Sequence, residues 1–373
     1  MAKTAFGVSC RIFSSKTAKN KVYTYYEKGA SKMDIAAMKQ DFYKRFEESG
    51  SYLKQEKCGL LCTLLGFPDI EGALSLTYPL SVGVTGLCRP SASDKLQLEN
   101  TDSDTVYTQR IKNTGGLLPP DTHISGGQIL LDNSIPRYFD STAETACCTV
   151  KCIMSINGFS RYDKTAAAAS CCGKSNIKPY LALLNARPGY CIRSDRLKTE
   201  SLPLPLAGFK LIAIQMDKHG DHSADYKEIE SEFEKVKSLY PHITAISELT
   251  QPELETAKHK LKSKSSYSRL SMILRDNERI RSVAEPLRRC RTSELFNQMN
   301  QSAKDFLQLW GLEQQEAMLL RSVLEMEGVR AARFWNKGVI AVVYEERVDY
   351  ILSSVENAFK RTGKYEIKFC ISK

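Results

Sequence analysis

Asp217, His219, Asp221 and His222 read D-x-H-x-D-H. Carboxylate and imidazole donors at that spacing can gather around a divalent cation. On a loop such a group is more often a solvated turn, so no resident metal is expected. His123 and His242 stand apart from any nucleophile, and Ser141 lies in no nucleophile elbow. Asp140, Ser141 and Thr142 precede an Ala/Cys-rich run and carry oxygens suited to capping a helix N-terminus. The stretch GVRAARFWNKGVIAVV, at 328–343, has the outline of a phosphate-cradling turn from which the glycines have gone. Backbone approaches a phosphate closely where no Cβ intervenes. Here Phe334, Trp335, Asn336 and Lys337 fill the turn ahead of Gly338.

The elements that must position these residues follow from apolar periodicity. In 32–49, Ile35, Met38, Phe42 and Phe46 recur at helical spacing. Ile229, Phe233, Val236 and Tyr240 line one face of a second helix at 226–240. The runs at 143–156 and 165–173 read as buried, close-packed helices, and 348–361 as another. Strands are expected at 339–344 and 365–372, and strand with turns over 87–121, where Gly115-Gly116 and Pro119-Pro120 mark a surface loop. The SLPLPLAG stretch at 201–208 marks a boundary, giving an N-terminal lobe over 1–205 and a C-terminal lobe over 206–373. The expected class is α+β: two lobes of mixed sheet covered by helices.

The 373 residues, 42% hydrophobic and 26% charged, have the composition of an ordinary globular protein. No apolar run reaches the roughly 20 residues that span a bilayer, and the N-terminus lacks the apolar core of a secretory signal. Twelve cysteines contain no C-x-x-C and include the adjacent pairs 147/148 and 171/172. Adjacent cysteines suit neither a zinc knuckle nor simple disulfides, so they read as reduced, buried small residues. An intracellular protein, of cytoplasm or nucleus, is expected. The formal charge of +10 is concentrated between Glu255 and Arg291, where eleven Lys/Arg face four Asp/Glu. Lys258, Lys260, Lys262, Lys264, Arg269, Arg275, Arg279, Arg281, Arg288, Arg289 and Arg291 form a candidate basic face for a protein or nucleic-acid partner. The bland alternative is a solvated helix surface.

Over roughly Asp34 to Lys373 the chain resembles galactokinases, of the GHMP small-molecule kinase superfamily. The likeness is carried by PYLALLNARPGYCIRSDRLKTESLPLP (179–205), by His222, Ser223 and Tyr226 in 212–226, by the spacing of 299–329, and by the 328–343 frame. In that frame Gly328, Val329, Ala332 and Arg333 keep the lead-in and Val339–Val343 the strand. The resemblance also implies where the chain departs. The family's Gly-Glu-His-x-Asp substrate grip corresponds to 57–76, where Gly66, Asp69 and Gly72 are the possible remnants. The Gly-rich ATP loop corresponds to 135–148, with Tyr138, Phe139, Asp140, Ser141 and Thr142 at its heart. Pro179 stands where the family has its catalytic aspartate, and Gln301-Ser302-Ala303 where it has Glu-Ser-His.

These departures lead to the expectation of a non-catalytic member: a regulatory, protein-binding module, in the manner of a developmental switch. It would need no cofactor and bind no ATP, with Trp335 either plugging the nucleotide site or serving as core. One alternative is a divergent ATP-dependent, sugar-type kinase; another is a nucleic-acid-associated factor using 258–291.

Overall fold

A computed structural model describes residues 34–46, 52–91, 95–101, 107–110, 126–136, 139–159, 162–173, 175–217, 222–335, 338–360 and 366–372. The chain divides into two compact units. The first holds the described residues up to Leu60 together with Val82–Leu184; the second holds Leu61–Ser81 and Asn185–Lys373. This differs from lobes meeting at 205, because residues 61–81 belong with the later part of the chain.

In the first unit, α1 (Ile35–Phe46) buries Met38, Phe42 and Phe46, one residue per helical turn, against Leu87 and Leu130. Strands β1 (Lys54–Gly66) and β2 (Ser75–Pro90) each give residues to both units. Within the first unit β2 pairs antiparallel with β5 (Gly127–Asn133). Strand β3 (Lys95–Asn100) runs parallel to β5 and antiparallel to β4 (Tyr107–Arg110). Helices α2 (Thr142–Ile156), α3 (Lys164–Cys172) and α4 (Ile177–Asn185) complete the set. Small Ala and Cys side chains let α2 and α3 pack closely, and Asp163 caps α3 by accepting from the Thr165 and Ala166 amides at 2.8 and 3.2 Å.

In the second unit the start of β2 pairs with β6 (Tyr190–Asp195), which pairs with β7 (Lys198–Pro203). That non-local pairing of Ser75–Thr77 with Ile192–Ser194 is what carries the 61–81 segment into this unit. A four-stranded antiparallel sheet has the order β11 (Ile367–Ile371), β8 (Phe209–Met216), β10 (Gly338–Tyr344), β9 (Val329–Trp335). Strand β10 is buried on both faces over Gly338–Val343, hence its near-continuous apolar sequence. Around the sheet lie α5 (Ser223–Lys237), α6 (Gln251–Ala257), α7 (Lys264–Arg288), α8 (Ser293–Asp305), α9 (Gln314–Glu325) and α10 (Val348–Lys360). Helix α7 buries Leu270, Ser271, Met272, Ile273 and Leu274 consecutively, so it is enclosed rather than lying on a surface.

Candidate active site

In the first unit the stretch expected to match an ATP loop ends at the head of α2. Phe139 is buried and its amide donates to the Pro136 carbonyl at 2.9 Å. Asp140 is exposed and turned onto the helix start, with Oδ1 accepting from the Thr142 amide at 3.0 Å and its hydroxyl at 2.7 Å. Ser141 holds the N-cap position without a capping bond; its Oγ accepts from Asn133 Nδ2 at 2.8 Å. Asp140 is thus the residue that satisfies an otherwise orphan N–H. Tyr138 lies outside the described residues.

Pro179 occupies the first turn of α4, where a missing N–H costs nothing. Asn176 Oδ1 accepts the Lys178 amide at 3.0 Å, and Lys178 itself is buried. The cysteines are free thiols, nine of the eleven described ones buried, and they pack as small apolar residues. In the second unit burial pushes the Cys191 and Cys370 thiols up to about 12, which keeps them unreactive.

The second unit holds a turn built between β1 and β2. Gly66 (φ +75) and Gly72 (φ +72) are both left-handed, and a Cβ at Gly66 would run into the Leu74 carbonyl. Phe67 N–H donates to the Leu74 carbonyl at 3.0 Å, and the Leu74 N–H donates to Asn277 Oδ1 at 2.9 Å. The Gly72 carbonyl accepts from the Ser247 amide at 2.9 Å. Asp69 is exposed on this turn.

Behind the turn lies a buried charge cluster. Asp276 in α7 is 0% exposed and Arg333 in β9 is 2% exposed. Asp276 Oδ2 accepts from Gly66 N–H at 3.1 Å, Ser302 Oγ at 3.0 Å and Arg333 Nη2 at 3.0 Å. Arg333 Nη2 also donates to the Gly66 carbonyl at 2.6 Å, Nε to Ser302 Oγ at 3.0 Å, and Nη1 to the Phe334 carbonyl at 3.1 Å. Its guanidinium lies over the rings of Phe306 and Phe67, at 4.9 and 5.5 Å. Burial lowers the Arg333 pKa, opposed by Asp276. Arg279 bonds Asp276 Oδ1 at 2.8 Å and Asp305 Oδ2 at 2.5 Å; burial pulls its pKa down, but the two carboxylates outweigh that and raise it. Sequence reading missed this cluster. The available signal was Asp276 on the apolar face of α7, three residues after Ile273 and four before Ile280.

Phe334 and Trp335 are the last residues of β9, and Trp335 is buried opposite Gly338 in the sheet. Asn336 and Lys337 lie outside the described residues. Phe334 packs against Phe306, whose neighbours Trp310 and Phe67 stack on each other at 4.9 Å. The D-x-H-x-D-H residues do not converge among the described residues. Asp217 Oδ1 accepts from the Glu366 amide at 3.0 Å. His222 instead sits at the head of α5, Nε2 3.0 Å from Glu316 Oε1 and Nδ1 3.1 Å from Asp225 Oδ2. Burial lowers the His222 pKa, but the bonds and charges of Glu316 and Asp225 outweigh it and raise it. His219 and Asp221 lie outside the described residues, among which no group of three metal-binding side chains comes together.

Seven of the eleven basic residues in 255–291 are engaged by neighbours. Lys258 pairs with Glu255, Arg269 with Asp225, Arg275 with Asp305 and Arg279 with Asp276. Arg281 donates to the Ser247 carbonyl, Arg288 pairs with Glu200, and Arg289 with Glu285. Lys260, Lys262, Lys264 and Arg291 are exposed. The run of charge in sequence is therefore largely answered by carboxylates in space rather than arrayed on one open face. No described helix is long and apolar enough to cross a membrane.

No family model matches the chain. Over 191 residues it is 28% identical to a galactokinase of Clostridium perfringens, a match covering 48% of each chain. A galactokinase of Fusobacterium nucleatum is 26% identical over 190 residues, again covering 48% of each. The chain thus matches about half the length of these curated relatives. Among solved structures, Lactococcus lactis galactokinase complexed with galactose superposes with a TM-score of 0.75 at 15% identity, covering 91% of this chain and 97% of that one. Mevalonate kinase of Methanococcus jannaschii gives 0.55 at 13% identity, covering 87% and 100%.

These likenesses overturn the expectation of a non-enzyme that does not bind ATP: the relatives and neighbours are kinases by name. That expectation treated each departure from a motif as a loss. Asp140 is instead bonded to its own helix, and Trp335 is a strand residue of the sheet. The chain has the galactokinase-like α+β fold of the GHMP small-molecule kinases.

Proposed function

We propose that the chain is a divergent ATP-dependent kinase that phosphorylates a hydroxyl of a sugar-class small molecule. The observation that carries this reading is the correspondence with galactose-bound galactokinase over 91% of this chain. The turn from Gly66 to Leu74 supports it, because it presents the exposed Asp69 carboxylate, a group able to accept hydrogen bonds from a sugar hydroxyl. Tyr226 lies near enough to feel that charge: burial above all, with Asp69 adding to it, pushes its hydroxyl pKa up. Tyr226 therefore stays a neutral donor and acceptor beside Asp69.

The remaining departures set the expected rate and affinity. Phosphoryl transfer passes through a loose transition state in which positioning and charge neutralisation dominate. A prolyl ring at 179 removes a general base, whose contribution is about 10²–10⁴-fold, so the enzyme is slow rather than silent. At the head of α2 a phosphate must compete with the Asp140 carboxylate for the Thr142 amide, so MgATP is bound weakly. The test is release of ADP from MgATP with a panel of hexoses and small alcohols. Sugar-stimulated ADP release, slow and with a high KM for ATP, is expected; sugar-independent or absent release across the panel contradicts the reading.

A further inference from the structure

The peptide unit flanking Gly66 is gripped at both ends by one ion pair. Asp276 takes the Gly66 N–H at 3.1 Å while Arg333 holds the Gly66 carbonyl at 2.6 Å, and the two side chains join each other at 3.0 Å. The next residue of α7, Asn277, takes the Leu74 N–H at 2.9 Å, so two adjacent helix positions fix both ends of the turn. Arg333 and Asp276 have no exposure with which to serve a ligand directly. A buried pair of this kind is a poor source of stability compared with apolar residues of similar size. It does fix geometry, because the planar guanidinium satisfies acceptors only in its own fork directions.

The geometry points to Arg333 and Asp276 as positioning residues for the substrate turn: through Gly66, with Asn277 at Leu74, they set where Asp69 stands. This rests on the kinase reading. Arg333 lies within the stretch where the resemblance expects a glycine-rich turn, just ahead of Phe334. In this chain it makes a structural contact to a different turn, so the two departures from the family pattern, at 66–72 and at 328–343, are physically one feature. The ligand that this turn would meet is a polyhydroxy alcohol, recognised by the carboxylate of Asp69.

Arg333→Lys and Ser302→Ala in the full chain test this, with galactose as the alcohol and MgATP as donor. A lysine keeps the charge opposite Asp276, but one ammonium cannot reach the Ser302 hydroxyl and the Phe334 and Gly66 carbonyls together. Ångström-scale misplacement of a positioning group costs up to about 10²-fold, so KM for galactose should rise about tenfold while kcat changes less than about threefold. Amide hydrogens of 66–74 should exchange faster with those of β8 and β10 unchanged. Ser302→Ala, which removes one of the contacts, should move both readouts the same way by less, and it carries the test if Arg333→Lys does not fold. Unchanged KM, or exchange that quickens uniformly across the second unit, overturns the inference. If the unaltered chain turns over no alcohol, the kinase reading falls instead, and selective exchange at 66–74 alone then decides whether the clamp exists.

Discussion

The head of α2 and the turn at 66–74 both depart from the pattern the chain resembles, and they are held in opposite ways. At the head of α2 the bonds are local: Asp140 reaches the amide and hydroxyl of Thr142, two residues on, at an exposed position. At 66–74 the partners lie about two hundred residues away or more, Asp276 and Asn277 in α7 and Arg333 in β9, and all are buried. Local bonds of the first kind adapt to a ligand at small cost. The second kind fixes one geometry, because any shift strands a buried charge. The difference teaches that a changed motif residue is not an empty position: Asp140 caps a helix, and Arg333 fastens a turn.

The contrast breaks most visibly at Asp276. Asp276→Ala leaves Arg333 charged, buried and without its carboxylate, and should cost about 3–5 kcal/mol in urea unfolding; a cost near zero would mean the cluster holds nothing. Gly66→Ala forces a Cβ into a left-handed residue at φ +75 facing the Leu74 carbonyl, with an expected loss of about 1–3 kcal/mol by thermal or urea unfolding. His222 sharpens the comparison through pH. Its folded pKa is raised above the ordinary 6.5, so its stabilising contribution is complete below that value and fades as pH rises through the folded pKa. Facing it are Glu316 from α9, Asp225 from α5, and Arg269 from α7 on the far side of Asp225. Stability of the unaltered chain should fall across that window, and His222→Gln should remove that part of the slope, as measured by unfolding at a series of pH values. Smallest is Asp140→Ala, where loss of an exposed cap costs about 0.5–1 kcal/mol while KM for ATP falls; an unchanged or higher KM would show that Asp140 does not compete with phosphate.

Locality also decided what the sequence alone could tell. Met38, Phe42 and Phe46 mark α1 because their spacing is that of the helix itself, and the apolar run at Val339–Val343 marks a strand buried on both faces. The N-cap group at 140–142 was legible for the same reason, although Asp140, not the N-cap residue Ser141, makes the bond. The division of the chain was not legible, since SLPLPLAG looks like a boundary while the pairing of Ser75–Thr77 with β6 is invisible to local pattern. Neither was the join of Asp276 to Arg333, 57 residues apart. Without that join, Arg333 read as part of a surviving lead-in and the turn after it as a damaged glycine loop. From there an enzyme was mistaken for a non-enzyme.

Titration calorimetry of MgATP into the full chain, with and without saturating galactose, tests the kinase account most directly. The account predicts one weak nucleotide site per chain, with affinity that changes when galactose is present. Absence of heat at millimolar MgATP under both conditions, from a protein shown to be folded, would contradict it.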